Sequence, residues 1–134
     1  MSHHCDTIVI RCMDFRLRKA FDAWADEQYG DYDGVGMAGG ARALIDTDPA
    51  TRATALKQFQ ISVELHTPGR AVLTVHQDCG AAGGSAAFGK DAARERKACE
   101  TDLHAADQVL RKHFPSLTTV LVIQTLDGTV TVVS

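Results

Sequence analysis

Asp6-Thr-Ile-Val-Ile-Arg-Cys12 carries β-branched side chains at four successive positions, Thr7 through Ile10, without the polar alternation of a strand wetted on one face. Short unbroken runs of this kind belong to strands covered on both faces, the environment of a parallel sheet. Arg70 to His76 holds a second such run, Ala-Val-Leu-Thr-Val, and Thr118 to Leu126 a third. Asp33 to Ala38 is a weaker strand candidate, diluted by Gly34 and Gly36. Between the strands the period changes. From Phe15 to about Gln28 the apolar positions Leu17, Ala20, Phe21 and Trp24 recur at three- and four-residue spacing, and Tyr29-Gly30-Asp31 stops the pattern. Asp48-Pro49 sets a capping carboxylate ahead of a first-turn proline and predicts a helix running to the turn at Thr67-Pro68-Gly69. The longest helix is predicted between Lys90 and Phe114, where Cys99, Leu103, Ala106 and Leu110 mark one face and Pro115 ends it. Asp127-Gly128, followed by Thr-Val-Thr-Val-Val, reads as a tight hairpin turn into a last edge strand.

Strands alternating with helices predict an α/β fold: a three-layer, open, mainly parallel sheet with strand order 2-1-3-4, an antiparallel C-terminal edge strand and helices on both faces. In such sheets ligands bind beyond the carboxyl ends of the strands, where the winding direction reverses. The first strand ends at Cys12 and the third at His76. The predicted order makes those two ends neighbours at the reversal.

Bulk properties narrow the function. The 134 residues are expected to form one domain, 1–134, large enough to bury a core without disulfides. No apolar run reaches the roughly 18 to 20 residues that span a bilayer, so no membrane association is expected. The start of the chain lacks a basic stretch followed by an apolar segment, which leaves the cytoplasm as the expected compartment. A formal net charge of -3 with dispersed lysines and arginines argues against a nucleic-acid partner. In a reducing compartment the four cysteines are expected to act as metal ligands, reactive thiols or core residues rather than disulfides.

Two short segments are not generic: Cys12-Met13-Asp14-Phe15-Arg16 and His76-Gln77-Asp78-Cys79-Gly80. Two thiolates and an imidazole suit Zn2+, and three protein ligands leave one tetrahedral position for water or substrate. Cys12, His76 and Cys79 are therefore the candidate metal ligands, for one zinc per chain. Asp14 and Arg16 follow the first ligand by two and four residues, where a carboxylate could orient a zinc-bound hydroxide and a guanidinium could hold that carboxylate ionised. Without that pairing Asp14 could swing onto the metal and close the site. Competing readings are a metal-free buried thiol pair beside a strand-end histidine, and an ordinary ion pair at a helix start.

These residues resemble those of the beta-class carbonic anhydrases, which carry Cys-x-Asp-x-Arg at the end of the first strand and His-x-x-Cys after the third. Cys12, Asp14, Arg16, His76 and Cys79 match all five positions, and Gly36-Met37-Ala38-Gly39-Gly40 is similar to the family's Asn-Ala-Gly loop, with Met37 in place of asparagine. The resemblance implies a zinc lyase that reversibly hydrates carbon dioxide to bicarbonate through zinc-bound hydroxide, with Asp14 and Arg16 catalytic and Gly39 and Gly40 lining the substrate site. It further implies a homodimer or higher homo-oligomer, although the sequence has almost nothing ahead of the first strand, where relatives usually carry N-terminal helices that wrap a partner subunit, and Phe15 is expected to narrow the pocket where a small residue is common. A related hydrolase of carbonyl sulfide or carbon disulfide and a catalytically silent zinc-binding or regulatory domain are the alternatives. Thiol redox chemistry would need a Cys-x-x-Cys pair, which the sequence lacks.

Elsewhere the plain readings hold. Cys5 and Cys99 are expected to be structural or incidental, His3 and His4 a mobile terminus, and Phe21 and Trp24 packing residues. Gly80 to Gly89 is expected to be a flexible loop without chemistry.

Overall fold

The computed structural model describes residues 3–133. Five strands form one sheet in the order β2-β1-β3-β4-β5: β1 Thr7–Arg11, β2 Asp33–Gly36, β3 Arg70–His76, β4 Thr118–Gln124 and β5 Val130–Val133. The first four are parallel and β5 runs antiparallel to β4, as the sequence predicts. Three helices connect them: α1 Arg18–Tyr29, α2 Pro49–His66 and α3 Ala92–His113.

The unbroken apolar runs are buried from both sides. Val9, Val72 and Val122 face α1 and pack on Phe21 and Ala25. Their neighbours Ile8, Ile10, Leu73, Val75 and Ile123 face the other way, into a larger core with Phe59 of α2 and Leu103 and Leu110 of α3. Since α1 lies on one face and α2 and α3 on the other, right-handed crossovers must lead from β1 outward in one direction and onward to β3 in the other. The reversal therefore falls between β1 and β3, whose carboxyl ends stand side by side (Ile10 pairs with Leu73).

Several boundaries differ from the sequence expectation for local reasons. The first helix starts at Arg18 rather than Phe15, because the Asp14 side chain accepts the Arg16 amide proton at 2.9 Å and turns the chain before helical bonding begins. Residues 37 and 38 leave the strand: the Met37 amide still donates to the Arg11 carbonyl, after which Gly40 closes a turn and a 3-10 helix, Gly40–Ile45, follows. Nothing in the apolar spacing marks that helix. Asp48 caps α2 through the Ala50 amide as expected, and Asp91 does the same for α3 through Ala93 and Arg94. His3 and His4, expected to be mobile, are packed against the end of α2. The His3 ring lies 4.4 Å from that of His66, and His4 bonds the Thr67 hydroxyl and the Asp6 carboxylate. Cys5 is half-buried, and its thiol donates to the Thr7 and Asp31 carbonyls. Among the described residues no helix is long and apolar enough to cross a membrane.

Candidate metal centre

Cys12 follows the last residue of β1, His76 ends β3, and Cys79 follows after a two-residue turn. Parallel pairing of the two strands brings these side chains together, with one ligand atom from each lying within 4.8 Å of the others. His76 is 2% exposed, and its Nδ1–H donates to the Gln77 carbonyl at 2.6 Å. That bond leaves Nε2 as the lone-pair nitrogen, and Nε2 is buried without a hydrogen-bond partner. A buried acceptor left unpaired costs about 1–3 kcal/mol unless something else satisfies it. The imidazole and two sulfurs, with one ligand atom from each inside 4.8 Å, form a donor set that fits a soft or borderline divalent ion.

Both thiols are tuned by their surroundings. The hydrogen bond between them, together with burial, pushes the Cys12 thiol up to about 11. The same hydrogen bond holds Cys79 down at about 6, against burial, and the amides of Ala81 and Ala82 and the Arg42 charge assist. The Gly39 amide points at the Cys12 sulfur, 3.4 Å away. Gly40 passes so close to β3 that an added Cβ would lie 2.3 Å from the Thr74 carbonyl oxygen, which explains a glycine here at φ +56°.

Asp14 and Arg16 stand beside this cluster. Arg16 Nε donates to both carboxylate oxygens of Asp14 at 3.1 Å, and Nη2 donates to Oδ2 at 2.6 Å. Asp14 Oδ2 is 3.9 Å from His76 Nε2, so the carboxylate borders the cluster while its other contacts commit it to arginine. The Arg16 hydrogen bonds hold the Asp14 carboxyl down at about 2, and the guanidinium is correspondingly raised.

Sequence reasoning missed the far side of the guanidinium. Arg16 Nη1 donates to Asp78 Oδ2 and Nη2 to the Asp78 carbonyl, both at 3.0 Å. The Ser85 amide and Arg16 lower the Asp78 carboxyl from its usual range. The only hint in the sequence was its place between the two ligands His76 and Cys79. The segment Gly80 to Gly89, expected to be a flexible loop, folds as two 3-10 turns, Gly80–Ala82 and Ser85–Phe88, and Ser85 is bonded to Asp78 and Glu95.

A cleft of about 550 Å³ opens at the Cys12 edge of the cluster, walled by Cys12, Asp14, Arg16, Gly39 and Ala81 with Met13 and Phe15 also lining it. Gly39 lines it, whereas Gly40 is buried against β1 and β3. Phe15 lines the cleft and is 85% exposed.

The family model described as "Putative carbonic anhydrase" matches residues 2–133. The chain belongs to this carbonic anhydrase family. Its fold is that of the beta class, a carbonic anhydrase-like enzyme architecture. A carbonic anhydrase from Streptococcus mutans aligns over 99% of this chain and 84% of its own length, with TM-score 0.68 at 19% identity. A carbonic anhydrase from Glaciozyma antarctica aligns over 100% of this chain and 85% of its own, with TM-score 0.69 at 21% identity. A match described as one of two tetrameric beta-carbonic anhydrases of Sordaria macrospora covers 99% of this chain and 82% of its own, with TM-score 0.65 at 16% identity. No curated protein sequence matches the chain.

Proposed function

We propose that this carbonic anhydrase family member is a single-domain zinc enzyme that reversibly hydrates carbon dioxide, with Cys12, His76 and Cys79 holding one Zn2+ and Asp14 and Arg16 acting on the attacking water. The observation that carries the reading is His76, whose Nε2 is buried without a hydrogen-bond partner and whose ring offers a ligand atom within 4.8 Å of two sulfurs, with a clamped carboxylate alongside. When bound, zinc is a Lewis acid that makes water nucleophilic near neutral pH.

The chain's own residues supply the rest. Asp14 stays ionised because Arg16 pairs with both its oxygens, so it accepts a hydrogen bond from the attacking water and aims the oxygen lone pair at carbon. The new C–O bond forms as one π pair of carbon dioxide moves onto its own oxygen, and the proton released passes to solvent. Arg16 prevents Asp14 from turning onto the metal, since that movement would break a bidentate ion pair. Gly39 supplies a wall without a side chain beside Cys12, which leaves room for a small linear substrate. The apolar rim at Met13 and Phe15, 68% and 85% exposed, is surface that a second copy of the chain would cover, which supports a homo-oligomer. Carbonyl sulfide and carbon disulfide, linear like carbon dioxide, are the alternative substrates for the same Gly39 wall.

Stopped-flow carbon dioxide hydration on zinc-loaded protein tests the reading, compared with Asp14→Ala and Cys12→Ser. Wild-type rates indistinguishable from both variants would remove it. Measurable turnover of a sulfur analogue in place of carbon dioxide would reassign the substrate.

A further inference from the structure

Glu95 is a carboxylate on the fourth residue of α3, 5% exposed, and no step above uses it. Its helix does not need it. Asp91 already caps the first turn, accepting from Ala93 and Arg94, while both Glu95 oxygens are directed into the preceding loop. Oε2 accepts the Asp78 amide proton at 2.8 Å, and Oε1 accepts the Ser85 hydroxyl proton at 2.8 Å. Burying a carboxylate is costly, and this one is compensated by two donors that both belong to the loop carrying Asp78.

Asp78 has every polar group engaged. Its amide goes to Glu95, its Oδ1 takes the Ser85 amide at 2.8 Å, and its Oδ2 and carbonyl take the two ends of the Arg16 guanidinium. Its backbone is left-handed, at φ +57°, a conformation that aspartate tolerates but that the surroundings must hold in place. Gly84 lies so close that an added Cβ would be 3.0 Å from Asp78 Oδ1. A continuous chain of hydrogen bonds therefore runs from the buried helix residue to the site: Glu95, Asp78 with Ser85, Arg16, Asp14.

We propose that Glu95 is a positioning residue of the active site, holding Asp78 in its left-handed turn so that Asp78 and Asp14 grip the Arg16 guanidinium from opposite sides. The inference rests on the reading of Asp14 and Arg16 as the pair that orients the attacking water. With Glu95 replaced by an apolar side chain, the Asp78 amide and Ser85 hydroxyl lose their acceptors, the turn relaxes and Arg16 is held from one side only.

Glu95→Met keeps most of the volume and removes both acceptors, while Glu95→Gln keeps one acceptor for the Asp78 amide and can donate to Ser85 Oγ. Two readouts are taken on zinc-loaded protein. The first is the nitrogen-15 NMR signal of the Arg16 Nε–H, assigned by its loss in Arg16→Ala. We expect a protected, slowly exchanging proton in the wild type and Glu95→Gln, and exchange at least tenfold faster in Glu95→Met. The second is hydration kinetics, where Glu95→Met should lower kcat about tenfold at unchanged zinc content, Glu95→Gln should restore it, and Glu95→Met should add nothing in an Arg16→Ala background. Protection of Arg16 unchanged in Glu95→Met, an additive effect on top of Arg16→Ala, or loss of zinc in step with activity would each overturn the proposal. Should Glu95→Met not fold, Ser85→Ala is measured in the same way, and an Arg16 signal exchanging no faster than in the wild type would overturn it. A wild-type protein without hydration activity would sink the functional reading, while the NMR comparison would still decide whether Glu95 governs Arg16.

Discussion

Replacing Gly40 by alanine is the sharpest test of how the strands build the site. A Cβ on Gly40 would lie 2.3 Å from the Thr74 carbonyl oxygen, 2.9 Å from the Cys12 amide nitrogen and 3.1 Å from the Arg11 carbonyl carbon. All three are backbone atoms of β3 or of the end of β1, so no flexible side chain can move aside. The left-handed backbone alone costs an L-residue about 1–2 kcal/mol. Forcing apart two paired strands in a packed core adds roughly 1–3 kcal/mol more. A sum near 3 kcal/mol corresponds to a fall in Tm on the order of 10 °C for a chain of this size. The displaced atoms carry Cys12 with them, so zinc affinity should drop at least about tenfold, as it does when the support of a metal ligand is disturbed. Gly36→Ala is the control: nothing lies within 4 Å of its added Cβ, its φ is ordinary, and its stability should stay within about 1 kcal/mol of wild type. The assay is urea and thermal denaturation of both variants, with zinc binding by competitive titration. A Gly40→Ala protein as stable and as zinc-avid as Gly36→Ala would refute the close-approach argument.

Further outcomes are expected. Cys12→Ser or His76→Ala should reduce metal content from about one zinc per chain to a small fraction of that, measured by elemental analysis of protein purified without added metal; full occupancy in both would remove the assigned ligand set. Asp102→Ala should destabilise the chain by about 2–3 kcal/mol in urea melts, because Arg42 is 9% exposed, bonds Asp102 at 2.7 Å and would be left as a buried charge; a loss under roughly 1 kcal/mol would show that water compensates the arginine. Asp33 accepts from Ser62 and His66, each at 2.6 Å, and although burial opposes them these bonds lower its carboxyl below the usual range. Its contribution is therefore present above the unfolded value of about 3.9 and is lost as pH falls through the lower folded value. Asp33→Asn should flatten that acid limb of the stability curve, and an unchanged limb would exclude Asp33 as its source.

How far the sequence alone reached can be read residue by residue. Unbroken apolar runs at Thr7–Arg11 and Arg70–His76 determine two-sided burial, hence a parallel sheet, because only helices on both faces can cover such strands. Chain connectivity and the handedness of crossovers then place Cys12 and His76 at adjacent strand ends, and Cys79 follows from a short turn. The five residues of the paired motifs were legible because their chemistry is local to two strand termini. What only the tertiary structure decided is the support behind them. Hydrogen bonds tie the turn before the 3-10 helix at Gly40–Ile45 to Arg11, order Gly80 to Gly89 against Asp78 and Glu95, and hold Arg16 on Asp78, 62 positions along the chain. Such bonds leave no periodic trace: apolar spacing records which face of an element is buried, whereas a polar side chain's partner is set by three-dimensional proximity alone.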